Sequence, residues 1–357
     1  MSEPRPFSLS DLDTDGALNP YAEGDEPTPT VHRLTAFPEI IDNTARDQFF
    51  LCPKKFQYST INKLAPRYVS EHLHFGGAFA TGLEHARKGF YDLGLTQQKA
   101  IDHGIVAAIE YYGDYTPPEK SFKTFENLVL ALEFYASEYP FAKDHVRPHK
   151  LASGFHAVEF TFAIPLPLNH PVTGNPLIYA GRFDMLAQYK NALFVFDDKT
   201  ASRLGTTWSS QWGLNSQITG YAWAAQQSKL PVVGAIIRGQ SILKNGFEIQ
   251  EAIVYRPQWM IDRWYKQLLK DIKKMLKCWM YEYQLNKPDS FDYAIGSACN
   301  MYSGCEFRKL CSSRTPEDWI QTEYRQRHWN PLEKDPEKSD ISPEMLPPVD
   351  PAERGII

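Results

Sequence analysis

The hydrophobic repeat of this chain changes period, and the order of the changes leaves few architectures open. In EHLHFGGAFATGLEHARKGFYDL (71 to 93), Phe75, Phe79, Leu83, Ala86 and Phe90 recur at spacings of three and four, which predicts an amphipathic helix. Small residues on it, Gly76, Gly77, Ala78, Ala80 and Gly82, would allow close approach of another backbone. Two further helical stretches follow, at about 97 to 113 and 121 to 138. The period then drops to two in HAVEFTFAIPL (about 156 to 166), LIYAGRFDMLAQYK (177 to 190) and ALFVFDDK (192 to 199), which reads as consecutive strands with a turn near Lys190 and Asn191. A helix at about 209 to 228, a strand at 232 to 243, a hairpin partner at 246 to 255 and a long helix from about 257 to 283 complete the pattern. Helix, three strands, helix, strand, helix predicts a mixed α/β sheet with helices on its faces. No internal repeat is present.

With 357 residues and 43% apolar content the chain can bury a substantial core. Residues 1 to 30 and 331 to 357 are rich in Pro, Asp and Glu without apolar periodicity, so they are expected to be disordered tails around a single domain over 31 to 330. A net charge of -5 argues against nucleic-acid binding through the overall field, although a local basic groove stays open. No apolar run is long enough for a membrane span, and the start lacks a signal-peptide pattern, so a cytoplasmic location is the expectation.

The acidic strand FVFDDKT sets the chemical question. Side chains alternate along a strand, so Asp197 and Lys199 share one face and Asp198 takes the other. A carboxylate and an ammonium on one face suit phosphodiester hydrolysis. The carboxylate holds Mg2+ or Mn2+, and the lysine orients or deprotonates water or stabilises negative charge. Asp184 on the preceding strand offers the second carboxylate. The alternative is a polar strand end that is simply solvated.

GRFD at 181 to 184, a strand ending Asp197-Asp198-Lys199-Thr200, and Gln217 four residues before Tyr221 in the next helix together resemble the PD-(D/E)XK nuclease superfamily, in its RecB-like and CRISPR-associated-exonuclease-like branch. The resemblance spans about 48 to 312 and implies an α/β restriction-endonuclease-like core: a mixed central β-sheet flanked by helices, with a helical insertion and a Cys-clasped C-terminal segment. It assigns Asp184 and Asp197 as metal ligands, Lys199 as the catalytic ammonium, and Gln217 and Tyr221 as positioning groups. In FGGAFATGLE, Ala80 stands where the family commonly has a metal-binding histidine, and Glu84 is the remaining candidate for third ligand. Asp198 falls at the variable position and is expected to tolerate Asn far better than Asp197.

The resemblance extends to the cysteines. Cys299, Cys305 and Cys311 are spaced x5 and x5, and Cys52 in CPKKF resembles the first cysteine of the iron–sulphur nucleases in this family. A 4Fe-4S cluster is implied, with Zn2+ or free thiols as alternatives because the family's usual C-terminal spacing is tighter. Cys278 reads as a buried helix residue. Candidate phosphate contacts are Lys54, Lys55, Arg308 and Lys309, and the stripe Lys266, Lys270, Lys273 and Lys277; Trp208 and Trp212 could stack on bases or fill the core. The expected activity is a Mg2+- or Mn2+-dependent deoxyribonuclease acting on single-stranded DNA or DNA with free ends, in bacterial or phage recombination, repair or replication. Any helicase or recombinase would be a separate chain, since no Walker loop is present. A scaffold that keeps the fold without the chemistry is the alternative.

Overall fold

The computed structural model describes residues 36–300, 304–327, 330 and 332. The tails expected over 1 to 30 and 331 to 357 lie outside the described residues, apart from 332. The chain begins with β1 (Ile40–Ile41), α1 (Asn43–Leu51), α2 (Pro53–Phe56) and β2 (Leu64–Pro66). Three helices follow: α3 (Glu71–Tyr91), α4 (Gln97–Tyr112) and α5 (Phe125–Glu138). Next come β3 (Val146–Pro148), β4 (Val158–Asn169), β5 (Pro176–Tyr189) and β6 (Ala192–Ala201). Then α6 (Thr206–Ser210) and α7 (Ser216–Gln227) lead to β7 (Val232–Leu243), β8 (Gly246–Tyr255) and α8 (Gln258–Trp279). The last elements are α9 (Arg308–Cys311), α10 (Pro316–Glu323) and β9 (Tyr324–Gln326). Contacts divide the chain into two compact units, one holding Val69–Ile164 and Gly181–Trp264, the other holding Pro165–Ala180 and the described parts of Met1–Tyr68 and Tyr265–Pro331.

The first of these units is a mixed sheet flanked by helices. β5 and β6 form an antiparallel pair from Tyr189↔Ala192 to Met185↔Phe196, closed by a turn in which Lys190 takes φ +52°. β6 and β7 run parallel from Phe194↔Gly234 to Ala201↔Ser241. Two parallel neighbours need a crossover, and the α6–α7 segment between them supplies it. β7 and β8 are an antiparallel hairpin through Leu243↔Gly246, as the alternation predicts. β3 lies antiparallel to β5, with Val146 opposite Tyr189.

Phe75, Phe79 and Leu83 of α3 are buried with Ala108 of α4 and Leu128, Leu132 and Tyr135 of α5. Small residues bring α3 and α4 together, since a Cβ on Gly104 would collide with the Gly82 carbonyl oxygen. Met185, Ala187, Phe194, Phe196 and Ile236 form a second cluster on the sheet. The helix expected over 209 to 228 is in fact two. A 3-10 turn at Gln211–Leu214 intervenes, and Asn215 caps α7 by accepting the Ile218 N–H at 3.0 Å. Capping of a new helix start by asparagine outweighs continuation of the apolar period.

In the second unit β1 runs parallel to β5 at Ile40↔Ile178, and β2 pairs with β9. Arg46 on α1 makes a buried ion pair with Asp271 on α8 at 2.8 Å. On α8, Lys266, Lys270, Lys273 and Lys277 are exposed while Leu268, Ile272, Met275 and Trp279 are buried, so the stripe is a solvated face. α8 ends at Trp279 and the chain continues as a π-turn over Met280–Gln284. Among the described residues no helix is long and apolar enough to cross a membrane.

Candidate active site

The β5–β6 ladder sets the geometry of the acidic pair. Its last backbone pair is Met185↔Phe196, and one step further the Asp184 side chain takes over, Oδ2 accepting the Asp198 N–H at 2.9 Å. Asp184 and Asp197 therefore stand side by side on adjacent strands. The Lys199 ammonium lies 2.6 Å from Asp197 Oδ2. Asp197 is only 1% exposed, so the ammonium stands in for water at this oxygen.

Burial, and then the charge of Asp197, push the Asp184 carboxyl well above the usual carboxylate range. Burial raises Asp197 as well, against the lowering pull of Lys199. Burial works against the charged form of Lys199 too, but Asp197 and Asp184 outweigh it and the ammonium holds its proton more firmly than in water. Two neighbouring carboxylates that repel one another, one of them only 1% exposed, suit a hard divalent cation. As placed, no group of three His, Cys, Asp or Glu among the described residues stands close enough to hold a metal ion.

Gln217 and Tyr221 meet as their spacing predicts, with Gln217 Nε2 donating to the Tyr221 hydroxyl at 3.0 Å. The Tyr221 ring packs edge-on against Phe183 at 5.1 Å and Phe162 at 5.8 Å. Gly181 explains itself here, because a Cβ would stand 2.7 Å from Phe162 and 3.1 Å from Tyr221. The glycine of G-x-x-D lets Tyr221 approach the strand that carries Asp184.

Glu84 lies on α3, buried, and pairs with Lys88 one turn on at 2.6 Å. The same helix passes close to the end of β6, since a Cβ on Gly76 would sit 3.4 Å from Thr200 Oγ1. Ala80 falls between these positions, one turn from each.

Asp198 corrects an expectation. It does face away from Asp197, but into a buried charge network instead of tolerant surroundings. Its Oδ2 is 2.6 Å from Arg87 and its Oδ1 accepts from the Tyr135 hydroxyl at 2.8 Å. Arg87 and Arg238 both donate to that hydroxyl, at 2.7 and 2.8 Å. Arg238 is held in turn by Asp144 at 2.8 Å and Glu251 at 2.6 Å. An asparagine at 198 would leave Arg87 without its counter-charge. The sequence offered one signal for this network: Arg87 stands four residues after Leu83 and three before Phe90, in line with the apolar stripe of α3.

In the other unit, Cys52, Cys299, Cys305 and Cys311 share one neighbourhood. Burial pushes the Cys311 thiol up to about 11, and Cys305, Cys52 and Cys299 add to the rise. Cys278 is mostly buried and raised to about 11, chiefly by desolvation. The flanking cations differ from expectation. Lys54 is buried, 3.3 Å from Asp289 and over the Tyr293 ring, Lys55 pairs with Glu306, and Lys309 pairs with Glu323 at 2.9 Å. These lysines are engaged within the fold, whereas Arg308 is exposed at the rim of a 270 Å³ cavity with Tyr68 and Tyr324. Trp208 and Trp212 are buried against each other at 5.6 Å, and Trp208 covers Gly239, so both are core residues.

Residues 44–312 match the sequence model of the PD-(D/E)XK nuclease superfamily. The chain belongs to that superfamily, and its mixed sheet flanked by helices is the fold expected of it. Among solved structures it is similar to a "Putative exonuclease" from Eubacterium rectale, at 11% identity over 67% of this chain and 80% of that one, with a TM-score of 0.42. It is also similar to a structure named SSO0001, at 14% identity over 57% of this chain and 80% of that one, with a TM-score of 0.23. No curated protein matches it.

Proposed function

We propose that this superfamily member is a Mg2+- or Mn2+-dependent deoxyribonuclease that hydrolyses phosphodiester bonds, acting as an exonuclease or end-processing enzyme in recombination, repair or replication. The observation that supports this best is the cluster of half-buried Asp184, buried Asp197 and half-buried Lys199, with Lys199 2.6 Å from Asp197, in a chain of nuclease ancestry. Asp184 and Asp197 would hold the cation, with Glu84 as a further ligand once it leaves Lys88. When bound, the cation supplies a Lewis acid for the phosphoryl oxygen and lowers the pKa of water.

The chain's own groups do the rest. Asp197 fixes the Lys199 ammonium, whose raised pKa keeps it charged at neutral pH, so its role is to stabilise charge developing on the phosphate. Gln217 and Tyr221 brace β5 through Phe183 and orient the DNA strand. The four clustered thiols would bind a 4Fe-4S cluster, with zinc as the alternative, as a structural clasp. The working location would be the cytoplasm of a bacterium or an infected host.

End-labelled single-stranded and duplex DNA, incubated with Mg2+ or Mn2+, tests the reading. Wild type should degrade at least one substrate, and Asp197→Ala and Lys199→Ala should lose at least about 100-fold in rate. Equal inertness of wild type and Asp197→Ala across substrates and metals would instead support the scaffold alternative suggested by Ala80.

A further inference from the structure

We infer that Tyr135 is a positioning residue for Asp184, acting through Asp198, and that it sets the orientation of a carboxylate of the proposed nuclease site. The inference rests on that reading of Asp184 and extends it to a residue of α5. It begins where the β5–β6 ladder stops. The last backbone pair is Met185↔Phe196, and the Asp198 N–H then goes to the Asp184 side chain, donating to Oδ2 at 2.9 Å. One oxygen of Asp184 is thereby committed to the chain itself. Where that N–H stands decides how the carboxylate is turned.

The place of the N–H is fixed by what grips the Asp198 side chain. Along β6 and β7, Asp198 pairs with Arg238. The Tyr135 hydroxyl ties the two together: it donates to Asp198 Oδ1 at 2.8 Å and accepts from Arg238 at 2.8 Å and from Arg87 at 2.7 Å. A phenolic oxygen has one hydrogen and two lone pairs, so its whole capacity is spent here. The ring is held as well, 1% exposed and edge-on to Phe79 at 6.0 Å. Burial keeps the Tyr135 phenol well above the usual tyrosine range, so it retains the proton it gives to Asp198.

Charge balance alone does not call for this hydroxyl. Arg87 already has Asp198, and Arg238 already has Asp144 and Glu251. The neutral hydroxyl adds direction, joining α3, α5 and β7 at the residue whose N–H reaches Asp184. Without it both arginines keep their counter-charges, but Asp198 Oδ1 loses its donor. The side chain can then turn, and the N–H moves with it.

Amide hydrogen exchange of the full chain in EDTA, resolved by NMR, tests this, with Val195 as internal reference because both β5 and β7 pair with it. Tyr135→Phe should speed exchange at Asp198 relative to Val195 by about 10-fold, and Asp184→Ala should do the same by removing the acceptor. Leu128→Val, which loosens the core of the same helix without touching the hydroxyl, should leave the ratio unchanged. On DNA with Mn2+, Tyr135→Phe should lower kcat by about 10-fold or more at unchanged KM, and Leu128→Val should not. An unchanged exchange ratio in Tyr135→Phe, or an equal loss of kcat in Leu128→Val, overturns the inference and leaves the nuclease reading standing. Should wild type cleave no DNA, the nuclease reading falls, and the exchange ratio alone upholds or overturns the tie between Tyr135 and Asp184. If Tyr135→Phe lacks the native circular dichroism, Arg238→Lys takes its place, because Arg238 acts on the Asp198 side chain through that hydroxyl. A native spectrum with an unchanged ratio in that variant overturns the inference equally.

Discussion

Arg87 on α3 and Asp198 on β6 meet at 2.6 Å with 5% and 3% of their side chains exposed, directly behind the strand position that presents Asp197. The strand is thereby clamped on one side by a structural ion pair while the other side carries the candidate chemistry. Neighbouring aspartates in one tripeptide serve opposite ends.

Asp198→Asn should therefore destabilise the fold. Removing one partner of a buried pair costs about 3–5 kcal/mol, and the Tyr135 and Arg238 contacts are coupled to it. Urea denaturation should show a loss of unfolding free energy of that size for Asp198→Asn, read as a lower midpoint at unchanged slope, and a much smaller loss for Asp197→Asn.

Metal-free protein should lose stability as pH rises out of the ordinary carboxylate range. Asp184 and Asp197 titrate above their unfolded values, so the folded state binds more protons than the unfolded state through that window. Their unfavourable ionisation is absent below the unfolded pKa and fully expressed above the folded one. Thermal melts in EDTA should fall from mildly acid to neutral pH, and Mn2+ should restore the neutral melting temperature. A flat profile with no metal effect would contradict the buried pair.

Gly181→Ala should impair both stability and turnover. The added methyl meets Phe162 and Tyr221, and overpacking of this kind costs about 1–3 kcal/mol. Because Tyr221 must retreat from β5, its hydrogen bond with Gln217 shifts with it. Activity on DNA should fall further than Tyr221→Phe alone causes, and a Tyr221→Ala background should absorb most of the loss.

Protein purified without oxygen should be brown, with a broad band near ~400 nm from thiolate-bound iron, and Cys305→Ser should bleach it. The clustered thiols motivate this outcome. A colourless preparation holding stoichiometric zinc would replace the iron–sulphur assignment with the zinc alternative.

The hairpin of β7 and β8 was fully readable, because its alternation and its turn are local. So was the pairing of Gln217 with Tyr221, since residues one helical turn apart must face each other. That Asp197 and Asp198 face opposite ways also followed from alternation, and their separate partners Lys199 and Arg87 agree. What Asp198 does instead was not readable, because its partners Arg87 and Tyr135 sit on separate helices more than sixty positions away.

Short elements such as α2, β2 and β9 escaped for the same reason. A three-residue strand has no period of its own, and β2 exists only because β9 pairs with it across the length of the chain. The engagement of Lys54, Lys55 and Lys309 by Asp289, Glu306 and Glu323 likewise depends on folded distances. Sequence by itself determined the order of elements and which side chains share a face, because the 3.6 and 2 periods are properties of the local backbone. Tertiary structure alone decided the register that sets Asp184 level with Asp197 and which charges are neutralised, because those relations arise only when separate strands and helices settle against one another.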